Sequence, residues 1–128
     1  MKHSDLTSQI IGICIEVHKT LGPGLLESIY ESAVCIELAS AALDFKRQQG
    51  IKVYYKGYDL DIGFRADIIV ENEVVVELKS IERIPPVCKK IVLTYLRLTN
   101  IEVGLIINFN VERLTEGITR LVLDRKVG

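Results

Sequence analysis

Apolar residues recur at helical spacing in two successive blocks near the start of the chain. In residues 6–21 they fall three or four positions apart, and Ser4 or Asp5 is suited to cap the start of a helix. Gly22-Pro23-Gly24 interrupts the pattern, because proline removes a backbone donor and glycine frees the backbone. The helical period returns over about residues 25–42. The pattern therefore predicts two helices separated by a sharp break.

The hydrophobic period then changes to the alternation that is typical of strands. Apolar and polar residues alternate over residues 51–55, and Lys56-Gly57 supplies a turn. Residues 60–70 show the longest alternation in the chain, with apolar side chains on one face and charged side chains on the other. Residues 71–73 suit a hairpin loop that leads into a strand over residues 74–79. Three consecutive strands are predicted.

The last part of the chain returns to a helix and then to strands. A helical stripe over residues 88–98 follows Pro85-Pro86, and residues 101–109 are almost all apolar, as in a strand buried on both faces. Residues 118–123 predict a final strand that closes the sheet. The strand–helix–strand segment implies a parallel crossover. We expect one α/β domain over residues 1–128, with a mixed sheet, flanking helices and the order αα-βββ-α-β-β.

Length and composition are those of an ordinary globular domain. The chain has 128 residues, of which 48% are hydrophobic and 26% are charged, and a typical domain holds roughly 100–200 residues. No segment approaches the ~18 consecutive apolar residues of a membrane span, and the polar start does not lead into a signal-peptide core. We therefore expect a cytoplasmic protein that has no membrane partner.

Charge and cysteine content narrow the classes of function. Sixteen basic and seventeen acidic side chains give a formal net charge of −1, so global charge does not favour nucleic acid as a partner. A local basic patch is still compatible with that balance. Cys14, Cys35 and Cys88 are widely spaced and include no C-x-x-C. This spacing favours free thiols in a reducing compartment over a zinc site.

Pairing across the three-residue hairpin loop brings like charges together. In that register Asp67 lies opposite Glu77, and Arg65 lies opposite Lys79, and both pairs repel. Diagonal ion pairs, Asp67 with Lys79 and Arg65 with Glu77, would relieve the repulsion in a purely structural protein. A divalent cation between the two acids is the other solution, since Mg²⁺ is commonly held by one or two carboxylates. With Lys79 nearby, that arrangement would suit phosphodiester hydrolysis.

Four short motifs, taken together, resemble a known family. A G-x-x-E-x-x-Y string at residues 24–30 is followed by FRAD at 64–67, VELK at 76–79 and GLIINF at 104–109. In this order and spacing the chain resembles the GxxExxY family, a group of small prokaryotic proteins assigned to the PD-(D/E)XK nuclease superfamily. The resemblance covers about residues 10–120.

The resemblance implies a restriction-endonuclease-like core and a set of site residues. By the family pattern, Asp67 and Glu77 bind Mg²⁺ or Mn²⁺, Lys79 is the catalytic cation, and Glu27 on the early helix completes the metal site. Tyr30 lies one helical turn after Glu27 and either packs in the core or orients that carboxylate. Tyr95 matches a tyrosine of the later helix. Nucleic acid is the implied substrate.

Three positions depart from the pattern of related proteins. Ala66 replaces the usual proline before the aspartate, which is a tolerable change. Related proteins often carry glutamine four residues before the tyrosine that matches Tyr95, and here that position is Ile91. Cys88 stands where the family's histidine is expected. Because an isoleucine cannot hydrogen-bond a phosphate, either the activity is weakened, or the site is vestigial, or the register of this helix differs.

Tyrosines and lysines are interleaved around the Lys56-Gly57 turn. Tyr54, Tyr55 and Tyr58 alternate with Lys52 and Lys56. Such a mixture suits a surface on which nucleic-acid bases stack. Packing within the sheet is the interpretation that we favour for these tyrosines.

Three functional hypotheses follow. The first is a Mg²⁺-dependent nuclease acting on DNA or RNA. The second is a catalytically impaired module that keeps the fold and binds nucleic acid or a protein. The third is a subunit that needs a partner or a homodimer to complete its cleft. The intact set of Asp67, Glu77 and Lys79 favours the first, whereas Ile91 and the near-neutral charge favour the second.

Overall fold

A computed structural model describes residues 4–124, so both ends of the predicted 1–128 domain lie outside the described residues. The α/β class and the predicted order of elements are confirmed. A short 3₁₀ helix precedes the last strand. The elements are α1 (Ser4–Leu21), α2 (Glu27–Ser40), β1 (Phe45–Tyr55), β2 (Tyr58–Val70), β3 (Val74–Lys79), α3 (Val87–Thr99), β4 (Val103–Asn108), the 3₁₀ helix (Leu114–Gly117) and β5 (Ile118–Val122).

The five strands form one mixed sheet in the order β1-β2-β3-β4-β5. Strands joined by hairpins or short connections pair antiparallel, whereas β3 and β4 pair parallel. The parallel pair follows from α3, because the helical crossover carries the chain from the end of β3 back to the side of the sheet where β3 began, so that β4 runs in the same direction. The predicted crossover is therefore confirmed, and β3 and β4 occupy the centre of the sheet.

Helices cover both faces of the sheet. On one face α1 and α2 pack against alternate residues of β3, which are Val74, Val76 and Leu78. On the other face α3 packs against Val75. Because side chains alternate along a strand, Glu77 and Lys79 share the face of Val75 and lie on the side of α3. Both charged residues of β3 therefore lie on the face of the sheet that α3 covers.

The first strand begins at Phe45, before the predicted start at residue 51. Its early residues are mostly exposed, since β1 lies at an edge of the sheet. Lys46, Arg47 and Gln48 therefore need no apolar alternation. An edge strand of this kind has no hydrophobic period that a sequence pattern could detect.

The hairpin formed by β1 and β2 extends beyond the rest of the sheet. β2 pairs with β3 only at residues 68–70, while its pairing with β1 continues to Tyr58. We name the protruding part, residues 52–64, the hairpin arm. Tyr54, Tyr55 and Tyr58 lie near its tip with exposed fractions of 60%, 58% and 73%. The interpretation that these tyrosines pack within the sheet is therefore wrong, because β3 is too short to reach them.

The cysteines are free, as predicted. Cys14 and Cys35 are buried, and burial raises the pKa of the Cys14 thiol to about 12. A thiol with that pKa is unreactive at neutral pH. Among the described residues, none of the helices combines the length and the apolar character needed to cross a lipid bilayer.

Candidate metal and catalytic site

The ladder between β2 and β3 opens where the two predicted acids meet. It has the predicted register but ends at Ile68 opposite Val76. Beyond that point the backbone of Asp67 donates its N–H to Glu77 Oε1 at 3.1 Å. The N–H of Leu78 donates to Asp67 Oδ2 at 2.8 Å. Each carboxylate thus takes the place of a ladder carbonyl, and these bonds bring Asp67 and Glu77 together.

The charged neighbours do not neutralise these acids through diagonal ion pairs. Arg65 turns toward β1, where its Nη1 donates to the carbonyl of Gln48 at 3.4 Å. Within the described part of the chain, neither Arg65 with Glu77 nor Lys79 with Asp67 forms an ion pair. The purely structural solution to the like-charge repulsion is therefore not the one adopted.

Burial makes the acidic pair reluctant to ionise. Burial, reinforced by the charge of Asp67, raises the pKa of Glu77 to about 8. Burial also raises the pKa of Asp67, with smaller contributions from the charges of Glu31 and Glu27, although the Leu78 N–H opposes the shift. Two such acids share a proton or need a positive charge between them.

Lys79 supplies a positive charge beside the pair. It is half-buried, and its ammonium lowers the pKa of both Asp67 and Glu77. Together with Glu77 it borders a cavity of about 70 Å³ between the sheet and α3. The other residues around this cavity are Cys88, Ile91, Val92, Tyr95 and Ile106.

Helix α3 forms the wall opposite the acids. Tyr95 stacks on Phe64 of β2, with 3.6 Å between ring centroids and 10° between planes. Burial, reinforced by the charges of Glu77 and Asp67, raises the pKa of the Tyr95 hydroxyl. Cys88 and Ile91 lie on the same wall. Ile91, at the position where glutamine is expected, therefore borders the same cavity as Glu77 and Lys79.

Glu27 stands apart from the other two acids. It is the first residue of α2 and is exposed, and it acts on Asp67 through its charge. In residues 4–124, no three His, Cys, Asp or Glu side chains are close enough together to hold a metal ion. The three-carboxylate set implied by the resemblance is thus not assembled in this structure.

Tyr30 is wholly buried and stacks on Phe109 at 4.3 Å between ring centroids. Its hydroxyl donates to the carbonyl of Gly22 at 2.5 Å and accepts the N–H of Leu25 at 3.1 Å. Of its two predicted roles, these contacts favour packing over orienting Glu27. Tyr30 nevertheless fixes the turn from which α2 starts, and so fixes the place of Glu27.

Three residues near the site were not predicted from the sequence. Glu31 of α2 is buried and pairs with Arg47 Nε at 2.6 Å. Gln48 Nε2 donates to Glu31 Oε1 at 2.6 Å and to Asp67 Oδ1 at 3.4 Å. Glu31 had a detectable signal, since it lies one turn after Glu27 on the same helix face. Arg47 and Gln48 had none, because the start of β1 shows no strand pattern.

The pair formed by Asp67 and Glu77 fits a hard divalent cation. Both donors are carboxylates, and each carboxylate has about four lone-pair positions, so the backbone bonds do not exhaust them. Mg²⁺ and Mn²⁺ prefer such oxygen ligands and accept water or phosphate oxygens at their remaining positions. The chemistry of the donors therefore agrees with the predicted cofactor.

Comparison with known proteins identifies the family. A family model described as the PD-(D/E)XK nuclease superfamily matches residues 4–121. That range contains both early helices, the two carboxylates at the open ladder and Lys79. No curated protein and no solved structure matches the chain significantly.

Proposed function

This chain belongs to the PD-(D/E)XK nuclease superfamily, and on that premise we propose that it is a Mg²⁺- or Mn²⁺-dependent nuclease. Its substrate is nucleic acid, and its motifs resemble those of the GxxExxY family. The observation that carries the proposal is the buried pair of Asp67 and Glu77 at the open ladder, with Lys79 beside it.

The residues of the site divide the work of phosphodiester hydrolysis. Asp67 and Glu77 would hold the cation, which would supply Lewis-acid polarisation of the scissile phosphate. The ammonium of Lys79 neutralises charge that develops on the phosphate and orients the attacking water. Tyr95, whose ring is stacked on Phe64, forms part of the cavity wall. Glu27 adds a negative charge that acts on Asp67.

The hairpin arm supports nucleic acid as the substrate. Its exposed tyrosines offer ring faces on which bases stack, and Lys56 lies 5.3 Å from the ring of Tyr55. A paired Tyr55→Ser, Tyr58→Ser variant should bind a labelled oligonucleotide more weakly while retaining its metal affinity. Unchanged oligonucleotide binding would remove the arm from the proposal.

Metal binding is the first test. Mg²⁺ or Mn²⁺ should raise the melting temperature of the wild type but not of Asp67→Ala or Glu77→Ala. An exposed acid outside the β2–β3 ladder provides the control, and Glu112→Ala should respond as the wild type does. Equal responses from all variants would count against a metal site at the ladder.

Cleavage is the second test. DNA and RNA oligonucleotides, single- and double-stranded, should be cut in Mn²⁺ and left intact in EDTA. Lys79→Ala should abolish cleavage, whereas Lys19→Ala, at an exposed lysine on α1, should not. Activity that survives in Lys79→Ala would assign the cutting to other residues or to a contaminant.

A second candidate function is a nuclease-fold module that binds without cutting. Ile91 is the observation that favours it, because an apolar side chain occupies the wall where related proteins often have glutamine. Under this alternative the wild type binds oligonucleotides or a protein but cleaves nothing. If activity appears only at high protein concentration, with a dimer in sedimentation, the site is instead completed by a second copy.

A further inference from the structure

Gln48 occupies an irregular position in β1, directly across from Asp67. The residues on either side of Gln48 pair with the residues on either side of Asp67, yet these two do not pair. The backbone of Gln48 has a φ of 52°, in the left-handed region that a side chain other than glycine rarely adopts. Conformations of this kind persist where surrounding contacts impose them, and they are common at functional sites.

This backbone conformation allows the side-chain amide of Gln48 to bond two carboxylates. Its Nε2 carries two N–H bonds, and two carboxylates receive them: Glu31 Oε1 at 2.6 Å and Asp67 Oδ1 at 3.4 Å. The opposite oxygen of Asp67 accepts the N–H of Leu78. Both oxygens of Asp67 are thus hydrogen-bonded from opposite sides, which fixes the plane of this carboxylate.

Glu31 gives this arrangement a rigid anchor. It is buried on α2, and its second oxygen pairs with Arg47 Nε at 2.6 Å. Arg47 also donates to the hydroxyl of Ser32 at 2.8 Å. The helix therefore holds the irregular segment of β1, and that segment reaches Asp67 through one amide.

We propose that Gln48 is a positioning residue that orients the Asp67 carboxylate for divalent-metal binding. The inference rests on the proposed function, because it assumes that Asp67 is a metal ligand. Gln48 itself binds no metal in this role. It acts as the outer partners of metal ligands do, and removal of such a partner typically weakens metal affinity by about 10–100-fold.

Two substitutions separate the amide from the backbone conformation. Gln48→Gly removes the amide but adopts a positive φ without steric cost, so the fold is retained. Gln48→Asn keeps an amide and tolerates a positive φ, but it is one methylene too short to span both carboxylates. Gln49→Ala is the matched control, since Gln49 is the next residue of β1 and, among residues 4–124, its amide donates only to the carbonyl of Gly50.

The experiment is calorimetric titration of each protein with MnCl₂ and with MgCl₂ alone. We expect Gln48→Gly to bind Mn²⁺ about tenfold or more weakly than the wild type, while its melting temperature in EDTA reports separately on the lost hydrogen bond to Glu31. Gln48→Asn should fall between them, and Gln49→Ala should match the wild type. A purely structural role for Gln48 would lower stability and leave metal affinity in place.

Three results would overturn the inference, and they differ from one another. If the wild type binds Mn²⁺ and Gln48→Gly binds it equally well, the positioning role fails while the proposed function stands. If the wild type itself binds neither metal, the proposed function fails and this inference falls with it. An equal loss of affinity in Gln49→Ala would also overturn the inference, because the effect would not belong to the amide of Gln48.

Discussion

Asp67 and Glu77 meet where the ladder between β2 and β3 opens, and burial raises the pKa of both side chains. A carboxyl group with a raised pKa favours folding most in its protonated form. Its stabilising contribution is complete below the ordinary pKa of glutamate and is lost as the pH rises through the raised value. The pair therefore sets the pH dependence of folding in the metal-free protein.

In EDTA we expect the free energy of unfolding to fall as the pH rises from about 4.5 to about 8. The lower limit is the ordinary pKa of glutamate, and the upper limit is the raised pKa of Glu77 in the folded protein. One titrating group gives a slope of up to ~1.4 kcal/mol per pH unit. Urea denaturation at several pH values measures this slope, and Glu77→Gln should flatten most of it. Glu112→Gln, at an exposed position, should not. A wild-type stability that is constant over the window would contradict the assignment.

Ile91 leads to a second prediction at the scale of one residue. It lies on the α3 wall of the cavity and is 40% exposed, so a polar replacement costs little stability. Ile91→Gln would restore a hydrogen bond to a charged phosphate, worth at least ~1.5 kcal/mol, or about tenfold in rate. Cleavage assays in Mn²⁺ measure the gain.

The control for this variant is an exposed isoleucine on another helix. Ile36→Gln, on the exposed side of α2, should leave cleavage unchanged. A rate for Ile91→Gln that equals the wild-type rate would mean that the missing glutamine does not limit catalysis. The weakened-activity interpretation of Ile91 would then be wrong.

The sequence could predict the relative position of residues on two strands that a short turn joins. A three-residue loop determines the register of β2 against β3, so Asp67 and Glu77 follow from the sequence alone. Glu31 and Gln48 lie on elements that are distant along the chain and meet only in the folded molecule. Their contact depends on how α2 packs beside an edge strand that has no hydrophobic pattern, and such packing is not encoded locally.

At the scale of elements, the turn between α1 and α2 decides where Glu27 stands. Gly22 and Gly24 both have positive φ, and proline between them ends the first helix. The hydroxyl of Tyr30 ties this turn together by bonding the carbonyl of Gly22 and the N–H of Leu25. The sequence predicted the break, but not that a tyrosine of the next helix fastens it.

Replacement of this hydroxyl should weaken the turn without disturbing the core around it. Tyr30→Phe keeps the stack on Phe109 but leaves the N–H of Leu25 without its acceptor. We expect the free energy of unfolding to fall by about 1–3 kcal/mol. Urea denaturation measures the loss, and Tyr54→Phe, at an exposed tyrosine, should show none. An unchanged stability would mean that the turn holds without this bond.

In the hairpin arm, the sequence pattern predicted the strand but not the exposure of its side chains. Alternation over residues 60–70 predicted one long strand correctly, and alternation normally implies that one face is buried. Here β3 covers only the last residues of β2, so Leu60 and Ile62 are exposed despite the pattern. The length of a neighbouring strand, rather than the pattern itself, determines whether an alternating strand is covered.

At the scale of the whole molecule, the fold was predictable because each central element carries a strong local pattern. β4 is wholly buried and reads as a continuous apolar run, and α3 between two strands requires a parallel crossover. Which face each helix covers depends on tertiary packing. The structure places α3 over the face with Glu77 and Lys79, and this choice creates the cavity in which the proposed chemistry takes place.

Metal binding should stabilise the entire fold, since a ligand that binds only the folded state adds RT ln(1 + [L]/Kd). At a hundredfold excess over Kd this gain is about 2.7 kcal/mol. Because a metal competes with the protons of Asp67 and Glu77, the gain should be small near pH 5 and complete above about pH 8. Melting curves with and without Mn²⁺ across this range test the prediction. The gain should vanish in Glu77→Gln, and a gain independent of pH would place the metal away from these acids.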